Sequence, residues 1–192
     1  LLILEGAAPK PSYLHIYDDR VEIRDAAKFW GKGVFETEDG LREELGIPGL
    51  RVASIGPAGE NQVLFACIMN DKHRAAGRSG VGAVMGSKNL KAIAVRGTGG
   101  VSVADPEGFM KAVWEMQAVM ETNPGKAGLG QYGTAATIDL TNSFGGLPTR
   151  NFQQGQFEEA EKLNGEAICD TRLVTNKACF ACTIACGRVC QL

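Results

Sequence analysis

The chain has 192 residues, 44% of them apolar, and carries 20 basic against 22 acidic side chains for a net charge of −2. This near-neutral balance excludes both the basic footprint of a nucleic-acid binder and the composition of a disordered acidic tail, and the apolar fraction supports a packed core. No apolar run approaches the roughly 18–20 residues of a membrane span, and the opening Leu1-Leu2-Ile3-Leu4-Glu5-Gly6 has no basic flank of a signal peptide.

The first hundred residues read mainly as β-structure. Strands are predicted at 1–4, 13–17 and 21–23, punctuated by Pro9, Pro11 and Asp18-Asp19. Thr37 is the predicted N-cap of a helix reaching to about residue 45, with Leu41 and Leu45 on one face and Gly46 then Pro48 ending it. Further strands are predicted at 51–55, 63–69 and 92–96, and Gly97-Thr98-Gly99-Gly100 reads as a hinge between residues 1–100 and 101–192. Beyond it the pattern turns helical. Asp105-Pro106 is an N-cap followed by proline at the first helical position. Phe109, Val113, Met116 and Met120 recur at helical spacing as a core stripe, and Asn123-Pro124-Gly125 closes that helix. A second helix is predicted over 134–142, a loop over 147–155 and a short helix over 165–172; Trp30 and Trp114 are expected packing anchors. The fold class is α+β. The lack of an initial Met and the opening in mid-strand lead us to expect an internal piece of a longer protein.

Four of the six cysteines fall at the end, as Cys179-x2-Cys182-x3-Cys186-x3-Cys190. Clustered thiols in a chain without secretory features point to a metal or iron–sulfur site in a reducing cytoplasm rather than to disulfides. By spacing alone, Cys190 could close a local four-thiolate site. Cys67, in an apolar run, and Cys169, without a partner at motif spacing, are expected to be structural.

The densest motif runs from Asp71 to Lys91, with glycines at 77, 80, 82 and 86 and cations at Arg74, Arg78, Lys88 and Lys91. Glycines permit close backbone approach, and arginine forks with amide N–H groups can receive a phosphate or a polar heterocycle. Gly82-x3-Gly86-Ser87-Lys88-Asn89 is one residue short of a P-loop and has Asn where a hydroxyl should bind Mg²⁺. The competing reading is a glycine-rich turn or a close-packed small-residue helix with no ligand. His15 and His73 read as structural, and Glu60 and Asn61 as residues that fix a turn.

Four blocks, Ile55-Gly56-Pro57-Ala58-Gly59-Glu60-Asn61, His73 through Arg96, Asn151-Phe152-Gln153, and Cys179-x2-Cys182-x3-Cys186-Gly187-Arg188, together resemble the tungsten-dependent aldehyde:ferredoxin oxidoreductase family. The resemblance runs along essentially the whole chain. It implies that residues 1–100 are the later half of a β-rich, pterin-binding N-terminal domain, and that 101–192 begin an all-α second domain carrying iron–sulfur cysteines. The implied cofactors are tungsten, or molybdenum, on two pterin dithiolenes, a [4Fe–4S] cluster, and Mg²⁺ joining the pterin phosphates. Arg74, Ala75, Gly77 and Arg78 match the pterin-contacting positions, with the Ala75 carbonyl toward Mg²⁺; Cys179, Cys182 and Cys186 match three cluster thiolates, the fourth lying outside this chain. The family's fourth thiolate comes from elsewhere, which makes Cys190 a bystander. The implied partners are ferredoxin and a small aldehyde, with a homodimer left open, and no nucleic acid or membrane. Two alternatives stand beside aldehyde oxidation: the tungsten subunit of an aromatic acyl-CoA reductase, and a four-cysteine zinc module.

Overall fold

The side-chain alternation of one strand decides the layering of the first half. In Ser12–Tyr17 (β1), Tyr13 belongs to one buried cluster and Leu14 to another, as the two-residue period of a strand requires. The computed structural model describes residues 2–191, and the chain falls into two units, Leu1–Val101 and Ser102–Leu192.

In chain order the first unit contains β1, Arg20–Asp25 (β2), Val34–Leu45 (α1), Arg51–Ser54 (β3), Pro57–Glu60 (α2), Ile68–Asn70 (β4), Arg74–Ala76 (β5), Val81–Ser87 (α3) and Leu90–Arg96 (β6). The strands form one sheet in the order β2-β1-β6-β3-β4-β5, with β1 parallel to β6 and every other pair antiparallel. Tyr13, Phe29, Leu41, Leu50, Val52, Ala92 and Ala94 make one cluster, which brings α1 onto the sheet. Leu14, Ile55, Met85 and Leu90 make the other, which brings in α3. Burial pushes the Tyr13 phenol up in pKa, and its hydroxyl donates to Glu44 Oε1 at 3.1 Å.

Several expectations are corrected. Residues 2–4 form no strand; Leu4 and Gly6 instead lend their carbonyls to Lys88 Nζ, and Leu1 lies outside the described residues. Thr37 is not a cap. Helix α1 starts at Val34 with Gly33 as N-cap, Glu36 reaches back to the Gly33 N–H, and buried Thr37 donates to the Gly33 carbonyl at 2.8 Å. Of the predicted strand 63–69 only its end enters the sheet, in β4. Ala66 N–H turns back to the Val63 carbonyl, and the Ala66 carbonyl accepts from Gly82 N–H, so this backbone is committed to α3.

The second unit contains Pro106–Glu121 (α4), Pro124–Tyr132 (α5), Ile138–Ser143 (α6), Gly165–Thr171 (α7), Leu173–Lys177 (β7) and Gly187–Cys190 (β8). Asp105 caps α4 through Gly108 N–H, as its sequence predicts. Asn123-Pro124 both ends α4 and starts α5: the Asn123 side chain accepts from Gly125 and Lys126 N–H, and Pro124 takes the first helical position. The helix predicted over 134–142 is a 3₁₀ turn, Gly133–Thr137, running into α6. To the helices the structure adds an antiparallel ribbon, β7–β8, whose connecting loop carries Cys179, Cys182 and Cys186. The whole is α+β. No described helix is long and apolar enough to cross a membrane. The expected core stripe of α4 is incompletely buried: Met116 is 63% exposed and Phe109 is exposed, Val113 and Met120 are half-buried, and the stripe lines a groove of about 510 Å³ with residues 181–184; Trp114, the expected anchor, is exposed as well.

Candidate functional site

The glycine-rich segment divides into a packed part and an open part. A Cβ at Gly86 would lie 1.8 Å from the Gly59 carbonyl oxygen, one at Gly82 would lie 2.5 Å from the Cys67 carbonyl oxygen, and one at Gly80 would lie 2.2 Å from that of Leu64. These three glycines let α3 cross α2 and the 64–67 backbone at bare-backbone distance, so for them the ligand-free reading of close-packed small residues is the right one. Gly77 differs. Only the Ala75 Cβ, at 3.9 Å, stands near a Cβ placed there, and Ala75, Ala76, Gly77, Arg78 and Ser79 are all exposed.

The four cations divide in the same way. Lys91 is fully buried and pairs with buried Glu60, while its Nζ also donates to the Lys32 carbonyl at 2.8 Å and Glu60 accepts from Gly31 N–H. A buried charge needs such pairing and hydrogen bonding. Lys91 therefore ties β6, α2 and the 31–32 turn together and is not a ligand-binding cation, nor does Glu60 merely fix its own turn. Asn61 does: its Nδ2 donates to the Pro57 carbonyl. Lys88 is occupied by the Leu4 and Gly6 carbonyls. Arg74 and Arg78 remain. Arg78 is exposed; Arg74, at the start of β5, has Nε and Nη2 shielded from solvent and without a hydrogen-bond partner. Two buried guanidinium donors without an acceptor are costly unless a ligand supplies one. They form the bidentate fork that suits a phosphate, so these residues fit the phosphate-bearing pterin that the resemblance implies.

His73 donates through its Nδ1–H to the Asp71 carbonyl, on an exposed surface. His15 is buried rather than half-buried; its Nδ1 lies 3.8 Å from Glu22 and its Nε2 has no partner. Cys169 Sγ donates to the Gln131 carbonyl at 3.2 Å, and Cys67 is partly buried.

In the second unit, Cys179 is exposed, Cys182 and Cys186 are half-buried, and Cys190 is exposed on β8. Among the described residues no group of three or more His, Cys, Asp or Glu side chains is gathered closely enough to hold one metal ion. A cubane cluster spreads its thiolates further apart than a single ion does, and three soft thiol donors on one loop fit an iron–sulfur cluster by their chemistry. Ala181 and Ala185, each directly before a cysteine, both have φ of 53°. Two left-handed alanines in one loop store backbone strain, which concentrates at functional sites. The block Asn151-Phe152-Gln153 is also left-handed in part: Arg150, Asn151 and Phe152 all have positive φ, closed by the Thr149–Gln154 bridge.

Sequence reasoning missed two elements of these sites. The Lys91–Glu60 pair had no signal beyond two opposite charges far apart in the chain. The residue that binds the cysteine loop to α5, Arg188, was visible only as part of a motif.

Residues 1–97 match the family described as aldehyde ferredoxin oxidoreductase, N-terminal domain, and residues 111–192 match aldehyde ferredoxin oxidoreductase, domains 2 and 3. The chain is 56% identical over 189 residues to a tungsten-containing aldehyde ferredoxin oxidoreductase of Pyrococcus abyssi, covering 98% of this chain and 31% of that one. It is 52% identical over 192 residues to the protein of the same name from Pyrococcus furiosus, covering 100% and 32%. Among solved structures it resembles the active site complex of benzoyl coenzyme A reductase bound to 1,5-dienoyl-CoA, at 31% identity and TM-score 0.77, over 97% of this chain and 30% of that one. The chain thus spans about a third of the length of the curated relatives it matches. On the strength of both family matches and of these identities, the chain belongs to the aldehyde ferredoxin oxidoreductase family.

Proposed function

We propose that this chain is the part of a tungstopterin and iron–sulfur oxidoreductase that supplies one arm of the pterin site and three cluster thiolates. The enzyme converts an aldehyde and water to a carboxylate, releasing three protons and two electrons, and the electrons leave for ferredoxin. The observation that carries this reading is the pair of buried, unpartnered donors on Arg74, beside an open Gly77 and ahead of Gly80, Gly82 and Gly86, which are committed to packing. The relatives that are 52–56% identical bear names stating tungsten, aldehydes and ferredoxin.

In this reading residues 1–100 act as the pterin-binding region and residues 101–192 as the cluster-bearing one. Arg74 would receive the pterin phosphate through Nε and Nη2, exposed Arg78 would add a second positive charge, and Gly77 would give the cofactor room beside the backbone. Ala75 would offer its carbonyl to a Mg²⁺ ion, a hard oxygen donor for a hard cation. Cys179, Cys182 and Cys186 ligate the [4Fe–4S] cluster. The bound metallopterin supplies the two-electron redox chemistry, and these residues hold and orient it. Cys190, exposed on β8 beyond the loop, is not a ligand.

A second reading is favoured by the likeness to the benzoyl coenzyme A reductase complex: the same cofactor frame reducing an aromatic acyl-CoA. Its 31% identity is well below that to the aldehyde enzymes, and the first reading is preferred. The assay that separates them uses the complete protein prepared without oxygen. Ferredoxin, or a viologen dye in its place, is expected to be reduced on addition of small aldehydes, with no turnover of benzoyl-CoA. Acyl-CoA reduction without aldehyde oxidation would reverse the preference, and failure of both would remove the oxidoreductase reading. A zinc module would instead yield colourless protein whose metal is lost in Cys190→Ser.

A further inference from the structure

Arg188 follows Cys186 by two residues and lies half-buried between the cysteine loop and the end of α5. Its Nη1 donates to the Ala185 carbonyl at 3.1 Å, the Gly187 carbonyl at 3.1 Å and Asn176 Oδ1 at 2.9 Å. Its Nη2 donates to the Gly130 carbonyl at 2.7 Å and the Leu129 carbonyl at 3.3 Å. The two loop carbonyls thus held belong to the residues immediately before and after Cys186. The two helix carbonyls lie in the last turns of α5, where a cation is favoured by the helix dipole.

Three further observations show that this junction is built. Asn176 Nδ2 also donates to the Gly130 carbonyl, at 3.3 Å, so β7 joins the same clasp. A Cβ on Gly133 would come within 2.7 Å of the Cys186 carbonyl oxygen, and one on Gly130 within 3.2 Å of that of Ile184, so the loop backbone sits directly on two glycines of this region. Ala181 and Ala185 are held in the left-handed region, which an alanine leaves unless its surroundings over-determine it. The guanidinium grips the chain on both sides of Cys186, and it places a permanent positive charge beside a loop of thiols.

We propose that Arg188 is a positioning residue for the iron–sulfur site: it clamps the loop bearing Cys186 onto the C-terminal end of α5, and its fixed charge favours the reduced cluster. This rests on the reading of Cys179, Cys182 and Cys186 as cluster ligands given above. Because lysine keeps the charge but loses the fork, Arg188→Lys separates the two roles from Arg188→Gln, which loses both.

The test uses the complete, cluster-loaded protein, with iron release to a chelator and an electron paramagnetic resonance redox titration as readouts. Arg188→Gln is expected to release iron about 10-fold faster and, at the wild-type midpoint potential, to show a reduced-to-oxidised ratio about 10-fold lower. Arg188→Lys is expected to hold that ratio within about threefold of wild type while still releasing iron faster. Asn176→Ala, which leaves the arginine in place, is expected to accelerate release with no change in the ratio; with Arg188→Lys it keeps the test decisive should Arg188→Gln fail to fold. Wild-type release and ratio in the arginine variants would overturn the positioning role. Cys182→Ser separates this from failure of the underlying reading: if that variant keeps its full iron and spectrum, the loop holds no cluster and both fall; if it loses them while the arginine variants behave as wild type, only the role of Arg188 falls.

Discussion

Arg74→Met is expected to strip the pterin cofactor from the complete protein without weakening the fold. In the cofactor-free state Arg74 keeps two guanidinium donors out of water with nothing to receive them, a situation that costs about 1–3 kcal/mol per unsatisfied group. Methionine keeps the apolar stem and removes the donors, so thermal unfolding of the cofactor-free variant should occur at or above the wild-type temperature. In the loaded protein the balance reverses. Two charge-assisted bonds to a phosphate contribute roughly 1.5–3 kcal/mol each, about 3 kcal/mol or more together, so retention of the pterin should fall by at least about 100-fold. Arg74→Lys should restore little, because an ammonium cannot reproduce the fork. Arg78→Met should have the smaller effect, since Arg78 is exposed and adds its charge through solvent. Unfolding curves and released pterin measured on the same preparations check both halves; a loss of stability in the cofactor-free Arg74→Met protein would show that the arginine has a structural partner instead.

The second large effect concerns the fold beneath that site. Gly86→Ala places a methyl group 1.8 Å from the Gly59 carbonyl oxygen and 2.7 Å from its carbon, both backbone atoms that no rotamer change can move. Helices α2 and α3 must part, and with them Met85 and Ile55 of the cluster below. Overpacking of this kind costs about 3 kcal/mol or more, a large share of the stability of a single domain. Gly77→Ala, with open space at the same point, should change stability by no more than about 0.5 kcal/mol. Urea unfolding of the two variants measures the contrast. Equal effects would mean that the glycines are not divided between packing and access.

The residues that declared themselves in the sequence are those whose job is local. Asp105-Pro106 announced α4, Gly46 and Pro48 the end of α1, and the alternation around Tyr13 and Leu14 a strand with two faces. What stayed hidden depends on distant neighbours. Spacing cannot say that Gly80, Gly82 and Gly86 meet backbone while Gly77 meets only the Ala75 Cβ, or that Lys91 finds Glu60 while Arg74 Nε and Nη2 find no partner. Asn123-Pro124 carried its own helix-start signal, and reading it only as a stop lost α5. The ribbon β7–β8 was similarly legible in Leu173-Val174-Thr175, an apolar residue followed by two β-branched ones, overshadowed by the cysteines after it. The stripe on α4 has correct periodicity, yet period alone does not name what lies opposite, and in this unit Phe109 and Met116 are exposed while Val113 and Met120 are half-buried.

The central claim is that these residues serve a tungstopterin and an iron–sulfur cluster in one protein. Elemental and pterin analysis of the complete protein, purified without oxygen from cells supplied with tungstate, tests it most directly. Tungsten, or molybdenum in its place, is expected together with pterin and about four iron atoms per chain. Iron with neither pterin nor its metal would contradict it.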